Sequence, residues 1–182
     1  MNRDILLVSE DYIKTYTPVT ENLDGDYITS AVFLVQDMEL ETTIGTSLTN
    51  KIYELVDSGE ISNTENKPYK ALLDGYIQPM VANYTIVHLI QNTAIKMTNF
   101  GVMKSEDEKM VNVSKEEVKQ AQDYYTHIGD YYKKNLQNYL ITNSATYPEL
   151  NENNTVDKIK KNLYSAASSN IWLGGERGKI IN

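Results

Sequence analysis

Two helical segments in a fixed order constrain this chain more than any single residue does. Residues 31–59 read AVFLVQDMELETTIGTSLTNKIYELVDSG, and residues 69–87 read YKALLDGYIQPMVANYTIV. In the first, apolar residues recur at helical spacing and the pattern breaks once, at Ile44-Gly45-Thr46. The second begins as a helix and meets Pro79 about three turns in. A helix, a glycine corner, a short helix, a polar loop and a long bent helix can bury their apolar faces against one another. That is a packing scheme rather than the layout of a catalytic site.

The first 27 residues show no helical period. Ile5, Leu6, Leu7 and Val8 suit one strand, and Thr17-Pro18 and Asp24-Gly25 mark turns. From Ile28 the set Ile28, Ala31, Val32, Val35 and Met38 follows the spacing of an amphipathic helix, with Thr29 or Asp26 as its cap. Gly45 is expected to end it in the left-handed conformation. Leu48, Ile52, Leu55 and Val56 share one face of a second helix, which Asp57-Ser58-Gly59 stops. Asn66 and Pro68 open a third, with Tyr69, Leu72, Leu73, Tyr76, Ile77, Met80, Tyr84 and Val87 inward. Pro79 has no N–H and crowds the carbonyl of Gly75, so a bend is expected there, with Gly75 giving it room. Residues 99–113, with Phe100, Val102 and Met110 around an acidic tip, read as a hairpin-like arm. Ser114-Lys-Glu-Glu117 is a capping box. The helix behind it carries Val118, Ala121, Tyr125, Ile128 and Tyr132 as a coiled-coil-like seam. Gly129 inside that seam costs about 1 kcal/mol against Ala.

The fold class expected is therefore mostly α. It is a helical bundle of about four main helices, Ile28–Thr43, Ser47–Ser58, Pro68–Met97 and Ser114–Asn143, with a bent long helix and extended ends. Residues 1–27 form an extended N-terminal segment, 28–147 a helical domain bearing the arm, and 148–182 a C-terminal tail with room for a short helix. In that tail Ser and Gly flank an apolar knot, Ile171-Trp172-Leu173. The knot can fold back on its own core, dock on a neighbouring chain or stay unplaced.

Charge and composition exclude several functions. The net charge of −8 disfavours wrapping a phosphate backbone. From Thr155 onward five basic residues (Lys158, Lys160, Lys161, Arg177, Lys179) face two acids, a net +3 that leaves −11 for the rest. An acidic body with a basic tail can attract copies of itself; the other reading is a simply solvated basic terminus. With no Cys there is no thiol catalysis, thiolate metal site or disulfide, and the composition fits a reducing compartment. No apolar run approaches the roughly 20 residues of a membrane span, and MNRDILLVSEDY does not read as a signal peptide. Fourteen Tyr against two Phe favours half-buried positions and wet interfaces.

Little here reads as catalytic. Asp123 and His127, four residues apart, can face one metal, but no second such pair completes a site; the ordinary reading is an exposed pair. His88 reads as a core histidine. The tail sequence Gly174-Gly175-Glu176-Arg177-Gly178-Lys179 is not a P-loop, because positions 173 and 180 are Leu and Ile. The expectation is a protein without enzymatic activity, cofactor or metal.

The chain resembles the head–tail connector (adaptor) subunits of tailed bacteriophages, nearest in pattern to the ring proteins of crAss-like podoviruses. The likeness is carried by VQDMELETTIGTSLTNKIYELVDSG at 35–59, YKALLDGYIQPMVANYTI at 69–86, MTNFGVMKSE at 97–106 and SNIWLGG at 169–175. The resemblance implies a structural virion protein at the head–tail junction, made in the host cytoplasm. It implies a homo-oligomeric ring, typically dodecameric, that binds the portal protein above and a tail or ring protein below. DNA is then only passing cargo, and no membrane is involved. Ile171, Trp172, Leu173, Arg177 and Lys179 are the interface residues expected on the tail, and Phe100, Val102 and Met110 those on the arm. The alternative is a monomeric helical module that binds another protein as a chaperone or regulator.

Overall fold

The computed structural model describes residues 5–98, 101–104 and 114–152. Six helices and one short strand pair make up the described chain, so the fold is mostly α. Ser9 accepts a hydrogen bond from the Tyr12 N–H and starts α1, Glu10–Tyr16. Asp24, rather than Asp26 or Thr29, caps α2 by accepting from the Asp26 N–H. α2 runs through Gly25–Val35, widens into a π-helical turn at Gln36–Leu40 and closes with Glu41–Ile44. Gly45 then turns the chain at φ 83°, ψ 157°. The positive φ was expected, but ψ puts the residue in an extended mirror region open only to glycine. α3, Thr46–Asp57, follows at once and buries Leu48, Ile52, Tyr53 and Leu55. Gly59, in the left-handed conformation, ends that run.

α4 begins as Lys67–Leu72 with Pro68 in its first turn, passes through a second π-helical turn at Leu73–Ile77 and continues as Gln78–Ala94. The widened turn is how the helix absorbs Pro79. The Gln78 N–H reaches back five residues to the Leu73 carbonyl, which relaxes the turn where the proline ring would press on Gly75. Gly75 itself is not what makes room: a Cβ there meets nothing within 4 Å. The helix stops at Ala94, short of the expected Met97, because Ile95–Thr98 (β1) pairs antiparallel with Gly101–Lys104 (β2). This pairing differs from the hairpin expected within 99–113: Gly101–Lys104 pairs with the residues before it rather than across the acidic tip, which lies outside the described residues. α5, Lys115–Thr142, opens on the capping box, with Ser114 and Glu117 each accepting the other's backbone N–H. After a 3-10 turn at Ser144–Thr146, α6 (Glu149–Glu152) ends the described chain.

Two expectations for the N-terminal stretch need correction. Ile5 to Val8 form no strand, and residues 10–16 are helical rather than extended. The strand reading rested on four apolar residues in a row, which periodicity alone cannot assign. Leu7 and Val8 are instead fully inside the helical core, and side-chain amides satisfy the backbone of this segment.

Contacts between α4 and α5 run in opposite order along the two helices. Tyr84 meets Asp130, Tyr76 stacks on Tyr139, and Tyr69 meets Tyr147 beyond the end of α5. The two helices are therefore antiparallel. Ile28, Ala31, Val32 and Val35 of α2, Leu72, Ile77, Met80 and Val81 of α4, and Leu136 and Leu140 of α5 fill one continuous core.

Candidate functional site

Four arrangements in the described residues go beyond plain apolar packing. The first is an amide clasp on the N-terminal segment. The Leu7 N–H donates to Gln36 Oε1 at 2.8 Å. Gln36 Nε2 donates to the Ile5 carbonyl and to the Tyr53 hydroxyl, both at 3.0 Å. Gln78 Nε2 donates to the Leu7 carbonyl at 3.0 Å. Gln36 opens the first π-helical turn and Gln78 follows the second. Both widened turns thus adjoin the glutamines that hold one strip of backbone, and Gln36 is almost wholly buried.

The second is a charged network where α2, α4 and α5 meet. Lys133 Nζ lies 2.8 Å from Glu39 Oε2 and 5.9 Å from the centre of the Tyr84 ring. The Tyr84 hydroxyl donates to Asp130 Oδ1. Burial, then the Asp130 carboxylate, pushes the Tyr84 pKa far above its ordinary value, so the phenol stays a donor. His88 belongs to the same quarter of α4. Burial lowers its pKa, and the Glu39 carboxylate opposes that shift. Gly129 lets the ring of Tyr84 lie against α5: a Cβ there would stand 3.0 Å from two ring carbons.

The third is a lattice of tyrosines at the other end of α4. Tyr76 and Tyr139 stack with centroids 4.1 Å apart. The buried Tyr147 hydroxyl donates to the Pro68 carbonyl at 3.0 Å and lies 3.2 Å from that of Tyr139. The Tyr69 hydroxyl donates to Glu149 Oε1 at 2.8 Å. Each ring fills space while its hydroxyl reaches a partner, which Phe cannot do. This accounts for part of the Tyr excess within the fold itself.

The fourth is exposed apolar surface. On α2, Tyr27, Leu34 and Met38 are 41%, 40% and 53% exposed. Tyr27 and Leu34, seven residues apart, lie on one side of the helix, and Met38 follows about one turn on, within the π-helical segment. On α5, Tyr124 and Tyr131 are 62% and 61% exposed, again seven residues apart.

Of the interface residues expected from the sequence, only Val102 is among those described, opposite Met97 in the hairpin register. Phe100, Met110, Ile171, Trp172, Leu173, Arg177 and Lys179 lie outside them. Asp123 and His127 are both exposed on α5. Among the described residues no three His, Cys, Asp or Glu side chains gather as a metal site, and no helix is long and apolar enough to cross a membrane. The sequence reading missed the α2 stripe: Met38 matched the inward pattern, and the π-helical turn at Gln36–Leu40 shifts the helical phase and turns it out.

The described residues form a mostly helical domain with exposed apolar side chains on two of its helices. The chain is a member of a family of unknown function, DUF6712, whose pattern matches residues 40–160. No curated protein and no solved structure matches it.

Proposed function

We propose that this protein is a structural subunit of a bacteriophage head–tail connector, assembling as a ring beneath the portal. The observation that carries the reading is the pairing of exposed apolar faces on α2 and α5 with an apolar knot, Ile171-Trp172-Leu173, in the tail. A subunit that offers a docking segment at one place and a receptor face at another makes head-to-tail contacts, and such contacts form a ring when the rotation between neighbours closes. The amino-acid pattern that resembles connector proteins supports the same reading. So does the charge: a body at −11 keeps a passing duplex from adhering to the channel. Portal protein above and a tail component below are the partners.

Deleting residues 168–182 tests this. The truncated protein should keep its helical circular dichroism and lose ring assembly or portal binding. A truncated protein that joins the portal as well as the full chain contradicts the role given to the tail.

A further inference from the structure

We infer that the exposed stripe of α2, Tyr27, Leu34 and Met38, receives the basic C-terminal tail of an adjacent copy, with Trp172 as its anchor. This inference rests on the ring reading and adds the receptor surface to it. Among the described residues α2 and α5 each expose more than one large apolar side chain, whereas α1 exposes Tyr16 alone, and charge separates the two helices. The whole of α2, from Gly25 to Ile44, contains no Lys or Arg, and Asp26, Asp37, Glu39 and Glu41 lie along it. Glu39 is engaged by Lys133, Glu41 accepts a hydrogen bond from the Thr46 hydroxyl, and Asp37 also has a partner within the fold, so it is the sign of the strip rather than any free carboxylate that counts. Asp26 adjoins Tyr27, and Asp37 and Glu41 stand one turn from Leu34 and Met38. The helix is therefore an acidic strip around an apolar stripe. α5 instead sets Lys115, Lys119, Lys133 and Lys134 against Glu116, Glu117, Asp123 and Asp130, so its charges cancel while those of α2 are all negative. A tail of net +3 with Ile171, Trp172 and Leu173 in it matches α2 in both sign and apolar character.

Reach is sufficient. Described structure ends at Glu152, which leaves 19 residues before Trp172. Extended, they span up to about 70 Å, more than the diameter of a domain of this size. The tail of one copy can thus lie on the α2 of the next. A ring linked in this way resists outward pressure, because pulling two subunits apart must also strip an aromatic anchor from its seat.

The test uses the full-length chain with a benzophenone cross-linker in place of Trp172. Equal amounts of isotopically heavy and light chains are mixed with the portal protein, irradiated and mapped by mass spectrometry. Heavy–light cross-links falling within residues 24–41 are expected. Replacing Leu34 and Met38 with Glu should lower their yield about tenfold, while Tyr131→Glu leaves it unchanged; circular dichroism checks that each variant is folded. Heavy–light cross-links that fall outside residues 24–41 overturn the receptor and leave the ring standing. Cross-links to α2 within single copies only overturn the exchange between subunits. If no heavy–light product forms and no assembly with the portal is seen, the ring reading fails as well.

Discussion

Gly129 and Gly75 sit in helices, yet the structure gives substitution at them opposite signs. Alanine at either position gains about 1 kcal/mol of helix propensity. At Gly75 nothing opposes the gain, because the added methyl meets open space. Gly75→Ala should therefore stabilise the protein by about 0.5–1 kcal/mol. At Gly129 the methyl would press on the Tyr84 ring, which is buried and tied to Asp130. Overpacking of that kind costs about 1–3 kcal/mol, so Gly129→Ala should be net destabilising by about 1 kcal/mol. Equilibrium urea unfolding of both variants reads the two signs, and a Gly129→Ala protein more stable than the parent contradicts the packing described. Gln36→Leu is the third residue-level case. It leaves the Leu7 N–H and the Ile5 carbonyl without their side-chain partner. Each such loss in the interior costs about 1–3 kcal/mol, so a drop of about 2–4 kcal/mol is expected in the same measurement.

Helix by helix, the sequence was readable where a local signal was also the structural cause. The capping box at Ser114–Glu117, Pro68 in the first turn of α4 and glycine at position 45 are self-contained instructions, and the helices begin and turn where they say. What could not be read depends on distant partners. The course of residues 5–8 is set by Gln36 and Gln78, 29 and 71 residues from Leu7. The π-helical turn in α2 has no proline to announce it, and it decides that Met38 faces outward. Gly129 looked like a cost within α5 and proves to be the seat of a ring from α4. At the same scale His88 gives a pH prediction. Its folded pKa lies below the ordinary 6.5 because of burial. The unfolded chain then binds the proton first, so the stability contributed by neutral His88 is complete above about pH 6.5 and is lost as pH falls toward the folded value. Thermal midpoints should fall more steeply on acidification for the parent than for His88→Gln. Parallel curves would show that His88 does not contribute.

The molecule as a whole joins an acidic helical body to a basic segment that carries its one tryptophan. The body explains its own stability: apolar faces pack, tyrosine hydroxyls find partners, and glutamines clasp the N-terminal strip. It does not use the α2 stripe or the tyrosines at 124 and 131 for that purpose. Those surfaces are what a partner would cover, and a second copy of the chain fits the charge on both sides. The direct measurement of the proposed ring is the native mass of the full-length chain mixed with a portal protein from the same source. The account predicts a discrete complex in which many copies of this chain close a ring on one portal assembly. A chain that stays single, or that binds only once per portal assembly, would contradict it.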